Sequence, residues 1–122
     1  MKNEKFVIVN LIKELIVNVD KNLVNFPKKE IEIKREIVIS CYSLLRKAYE
    51  ANTTTNTEKR VDLQENMIAT IKYIDFFLNV CYDKQIINSK KYLRFGESLE
   101  NIIRYVTAWK NATIKGKENI RA

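Results

Sequence analysis

Histidine is absent from the 122 residues, and with it go the commonest general base, proton shuttle and metal ligand. Glycine occurs twice and proline once, although an average chain carries roughly 7% glycine and about 5% proline. Sheets, hairpins and tight turns draw on those two residues, so their scarcity points to helices. Gly96 and Gly116 cannot build a glycine-rich phosphate loop, since neither follows a strand pattern. The two cysteines, Cys41 and Cys81, make no zinc site. Each sits in an apolar helical pattern and reads as a small buried hydrophobe, with a disulfide as the lesser alternative. No apolar run approaches the ~18 residues of a membrane span. The stretch after Lys2 and Lys5 fails as a signal peptide because Asn10, Lys13 and Glu14 interrupt it and no small-residue cleavage site follows. Carboxylates such as Glu14, Asp20, Glu65 and Asp75 fall on polar faces, where solvation is their ordinary role. The expectation is a cytoplasmic binding module, not an enzyme, with no cofactor, no metal and no membrane partner.

Four segments carry helical periodicity. Over residues 5–26, Ile8, Ile12, Leu15, Ile16, Val19, Leu23 and Phe26 recur at intervals of three and four, and Pro27 ends the run. Over residues 30–52, Ile37, Cys41, Leu44, Leu45 and Ala48 share a face. Its many β-branched residues lower the intrinsic helix propensity, so packing must hold it. A polar run over residues 52–57 is a loop, and Thr55 with Glu58 three residues later reads as a capping box. In the third segment, 58–84, Met67, Ile71, Ile74, Leu78 and Cys81 alternate spacings of four and three, the seam of a left-handed bundle. Asn88 or Ser89 caps a fourth helix running to 111, with Tyr92, Phe95, Leu99, Ile102, Ile103, Val106 and Trp109 facing inward. The fold class is all-α, an antiparallel up-down-up-down four-helix bundle over residues 1–111. Residues 112–122 lack periodicity and are expected to be a disordered basic tail.

The third helix has a second apolar face. Tyr73, Phe76, Phe77 and Val80 fall away from the seam, leaving Lys72, Asp75, Asn79 and Asp83 as a narrow polar strip. A small bundle has no core left for that face, so those four residues are expected at an interface between copies of the chain. Charge supplies the other signal. Lys and Arg number 22 against 15 Asp and Glu, a net +7, and most of the excess lies from residue 89 onward. Lys90, Arg94 and Arg104 project opposite the core stripe with Glu97 between them. With Lys110 they are the first candidates for phosphate contacts; Lys28, Lys29, Arg46 and Lys47 are the second. Trp109, Tyr92 and Tyr42 fall on or near apolar stripes and are assigned to packing, which leaves Tyr105 as the candidate for stacking on a base. An ordinary solvated surface is the plain alternative. A membrane-surface role would need an apolar face that the bundle already uses.

Four stretches carry a resemblance. They are Phe26-Pro27-Lys28-Lys29-Glu30 at the first junction and Leu44-Leu45-Arg46-Lys47-Ala48-Tyr49-Glu50-Ala51-Asn52 before the polar loop. Ile86-Ile87-Asn88-Ser89-Lys90-Lys91-Tyr92 opens the last helix, and Ile103-Arg104-Tyr105-Val106-Thr107-Ala108-Trp109 closes it. Together they resemble the four-helix-bundle accessory variability determinant (Avd) proteins of diversity-generating retroelements, which are similar to ribosomal-RNA intervening-sequence proteins. The resemblance covers nearly the whole chain and rests on packing motifs. It implies a basic, cytoplasmic homopentamer without activity of its own. Such a protein binds the element's reverse transcriptase and its structured RNA, or RNA/cDNA, in support of mutagenic cDNA synthesis. Thr107-Ala108 stands where the family usually has two glycines, and Asp75 and Asn79 stand where many relatives carry bases. The other reading is an oligomeric interaction scaffold or a general RNA-binding protein without a retroelement role.

Overall fold

The computed structural model describes residues 4–116, in which helices α1 (Glu4–Asn22), α2 (Ile31–Thr53), α3 (Thr57–Asp83) and α4 (Ser89–Lys115) follow one another, with a single 3-10 turn at Lys28–Glu30. Each helix packs against two neighbours: α1 and α3 both lie against α2 and α4, while the diagonal pairs do not meet. This is a four-helix bundle. Gln64 early in α3 meets Thr113 late in α4, and Tyr82 late in α3 stacks on Tyr92 early in α4, so these two helices run antiparallel.

The core is the set of seams that the periodicity marks. Ile8, Ile12, Leu15 and Val19 of α1, Ile37, Cys41, Leu44 and Ala48 of α2, the five seam residues of α3, and Phe95, Leu99, Ile102, Val106 and Trp109 of α4 are all buried. Each aliphatic side chain of this size contributes about 1.5–3 kcal/mol by leaving water. Both cysteines are free and buried. Burial pushes the Cys41 thiol up to about 12 and, with the nearby Glu30 charge, the Cys81 thiol up to about 11.

Helix ends depart from the sequence expectation in three places, each for a local reason. First, α1 stops at Asn22 and not at Phe26. The Leu23 N–H still reaches the Val19 carbonyl at 3.1 Å, after which the chain crosses the bundle end as irregular backbone with Leu23 and Phe26 buried. Second, the cap of α3 is Asn56, one residue after the predicted Thr55: its Oδ1 accepts the Lys59 N–H at 2.9 Å. Third, α4 runs past 111 to Lys115, where Gly116 closes it at φ 72°. The Thr113 hydroxyl accepts from Gln64 Nε2 at 2.9 Å and donates to the Trp109 carbonyl at 3.0 Å. The bundle thus takes in residues 112–115 of the expected tail, and residues 117–122 lie outside the described residues. At the same end, Arg60 Nε donates to the Ala51 carbonyl at 2.8 Å and its guanidinium also reaches the Thr54 carbonyl, serving the last carbonyls of α2.

Candidate nucleic-acid interface

Up-down topology puts the α1–α2 and α3–α4 connections at the same end of the bundle. Both are built tightly. Pro27, at φ −59° and ψ 135°, leads into the 3-10 turn, where the Glu30 N–H returns to the Pro27 carbonyl at 3.0 Å. The α3–α4 connection begins with a Schellman closure: the Ile86 N–H bonds the Cys81 carbonyl at 2.8 Å and the Gln85 N–H the Tyr82 carbonyl at 2.9 Å. That closure holds Gln85 in the left-handed region at φ 63°. Asn88 then caps α4, accepting the Lys91 N–H at 2.8 Å. Across the two connections, Lys84 Nζ reaches Glu30 Oε2 at 3.1 Å.

This end is basic. Lys21, Lys28, Lys29, Lys84, Lys90, Lys91 and Arg94 stand within two turns of it, against Asp20, Glu30 and Asp83 on the same segments. All but Lys91 are exposed, and Lys91 is half-buried. The first turns of α2 do not offset them, since Lys34 and Arg35 there are matched by Glu32 and Glu36, with Arg35 bonded to Glu32. Arg60 at the other end is buried against α2.

The eight candidate phosphate contacts therefore do not form one surface. Lys28, Lys29, Lys90 and Arg94 converge at the basic end. Arg104 is exposed on the same side of α4, roughly 15 Å further along the helix, and donates to Asn101 Oδ1 at 2.7 Å. Lys110 turns toward α3 and lies 3.8 Å from Glu65. Arg46 and Lys47 sit in the second half of α2, where Lys47 donates to Thr70 Oγ1 at 2.8 Å. Sequence reasoning missed Lys84 and the role of Lys91. The signal was the pairing of connections in an up-down bundle, which brings together bases far apart in the chain.

The second apolar face of α3 divides. Tyr73 and Phe76 are 46% and 58% exposed, whereas Phe77 and Val80 are half-buried, with Phe77 against the core. Phe77 meets Tyr73 and Phe76 edge-on, with ring centroids 4.9 and 5.1 Å apart. Tyr73 Oη donates to Glu36 of α2 at 2.9 Å, which raises the phenol's pKa. Ile39, 54% exposed, follows Glu36 by one turn, so the ridge spans the α2/α3 side. Around the corner, Asp75 and Lys72 border a groove between α3 and α4 where Gly96 leaves open space. Two tyrosines depart from expectation: Tyr42 is 57% exposed and outside the core, and Tyr105 packs half-buried against it.

Among the described residues no group of His, Cys, Asp and Glu could hold a metal ion, and no helix is long and apolar enough to cross a membrane. The chemistry present is that of a positively charged end and an aromatic flank. No family model, curated protein or solved structure matches the chain.

Proposed function

We propose that this chain is a non-enzymatic accessory subunit of a diversity-generating retroelement. It assembles with copies of itself and uses its basic bundle end to hold the element's structured RNA alongside its reverse transcriptase. The observation that carries the reading is the convergence of Lys28 and Lys29 with Lys90 and Arg94 at one end of the bundle. Each phosphate neutralised there releases counterions, so the end binds nucleic acid without needing base-specific contacts. The ridge of Tyr73, Phe76, Phe77 and Val80 supports assembly. Copies joined side by side through it, in a homopentamer as the resemblance implies, would align their basic ends into one surface. Thr107, Ala108, Asp75 and Asn79, where the family pattern differs, favour the second reading, an oligomeric interaction scaffold or a general RNA-binding protein without a retroelement role. The genes beside this one separate the two. A reverse transcriptase with paired template and variable repeats is expected, and deleting this gene abolishes diversification of the variable repeat. Diversification that survives the deletion overturns the retroelement role.

A further inference from the structure

One cleft beside the basic end differs in make-up from the rest of the surface. Between α1 and α4, Asn18 and Asn22 face Lys91, Arg94 and Ser98 across a floor of Phe95, enclosing about 80 Å3. Helical spacing creates it. Asn18 and Asn22 are one turn apart on α1, as are Lys91, Arg94 and Ser98 in succession on α4, so two short ladders oppose each other. Every polar side chain in the lining can donate hydrogen bonds, two are cationic, and no carboxylate is among them.

The two cations there form no ion pair, in common with most of the described basic residues. Lys84 has Glu30, Lys110 has Glu65 and Arg35 has Glu32. Among the described residues the side chains of Lys91 and Arg94 have no such partner, and Lys91 is half-buried beside Phe95, which is 4% exposed. A bound anion would supply the counter-charge that these two cations lack. Asn22 Nδ2 donates one N–H to the Asn18 backbone carbonyl at 2.7 Å, which leaves its second N–H, the Asn18 amide and the Ser98 hydroxyl as neutral donors beside the two cations. The cleft has room for a tetrahedral oxyanion.

We propose that this cleft seats a single phosphate group: an internal phosphodiester of a bound strand, or a terminal or free phosphate. In its phosphodiester form the proposal rests on the RNA reading above; as a phosphate seat it stands on the cleft alone.

The test titrates the full chain with inorganic phosphate, following amide resonances by NMR, and separately with one RNA oligonucleotide bearing a 5′-hydroxyl or a 5′-phosphate. Phosphate is expected to shift the resonances of residues 91–98 and to compete with RNA. Ser98→Asp, which places a carboxylate in the cleft, should abolish those shifts and weaken RNA binding about ten-fold, the scale of one charged hydrogen-bonded contact. Arg94→Gln should act in the same direction, with both variants melting as the parent does. Lys28→Ala/Lys29→Ala is the contrast: RNA binding weakens and the phosphate shifts remain. Equal affinity for the two RNAs assigns the seat to an internal phosphodiester, and a 5′-phosphate preference assigns it to a terminal group. Phosphate shifts without RNA binding support the seat for free phosphate and overturn the RNA reading. RNA binding without phosphate shifts, or shifts that survive Ser98→Asp, overturn the seat.

Discussion

The ammonium of Lys84 lies 3.1 Å from the carboxylate of Glu30, joining the α3–α4 connection to the α1–α2 connection across one end of the bundle. The contact holds in register two segments that otherwise repel, because Lys28, Lys29, Lys90 and Lys91 flank them. Both side chains keep contact with water, so the pair is worth at most about 1 kcal/mol. Its larger effect is on potential, since Glu30 is one of few acids at this end.

Glu30→Gln should therefore raise RNA affinity several-fold at low salt, with the gain vanishing as salt screens the field. Stability should change by less than about 1 kcal/mol. Fluorescence anisotropy across a salt series measures the first and thermal melting the second. A loss of affinity would place RNA binding elsewhere.

Gln85 occupies the left-handed position of a Schellman closure, where a side chain is strained and glycine is not. Gln85→Gly should stabilise the protein by about 0.5–1 kcal/mol, even though glycine is the more flexible residue unfolded. Chemical denaturation checks the sign, and a destabilised variant would mean that the closure is not what holds this turn.

Assembly should depend on Phe76 and Tyr73 more than on Phe77. Phe76→Asp puts a charge on a largely exposed ring and should give a folded protein of monomer mass by light scattering. Phe77→Asp puts the charge against the core and should destabilise the protein by up to about 3 kcal/mol for its half-buried ring. An assembly unchanged in mass by Phe76→Asp would remove the ridge from the interface.

The two thiols give a pH test. Their pKa values rise from 9.0 to about 12 for Cys41 and about 11 for Cys81 on burial. Above pH 9 the unfolded chain loses thiol protons that the native state keeps, so stability falls as pH rises through that window and is unaffected by these groups below it. Cys41→Ala/Cys81→Ala should flatten the decline in melting temperature between pH 9 and 10.5. At pH 8 neither thiol should react with a disulfide reagent until the protein is unfolded.

Most of the bundle could be read from apolar spacing, because burial imposes that spacing whatever the backbone does. The same fact explains the misplaced end of α1: Leu23 and Phe26 keep the inward period, yet they lie beyond the last helical turn. At the end of α4 the inward residue is Thr113, whose hydroxyl pairs with Gln64, so a hydrophobic period could not register it. Gly116 marked the true stop. The candidate site was half legible. Wheel arithmetic found Lys90, Arg94 and the aromatic ridge, each confined to one helix. The convergence of Lys84, Lys28, Lys29 and Lys91, and the diversion of Lys110 to Glu65, depend on which helices are neighbours, which no single helix encodes.

The most direct test is the salt dependence of RNA affinity for the full chain and for Lys28→Ala/Lys29→Ala/Lys90→Ala/Arg94→Ala. A basic end that carries binding predicts an affinity loss of more than about ten-fold and a slope of log affinity against log salt shallower by about three units, the release expected from four phosphate contacts. The paired variant Arg46→Ala/Lys47→Ala should leave both nearly unchanged. Parental affinity and slope in the four-residue variant, with the loss appearing in Arg46→Ala/Lys47→Ala, would contradict the assignment of RNA binding to this end of the bundle.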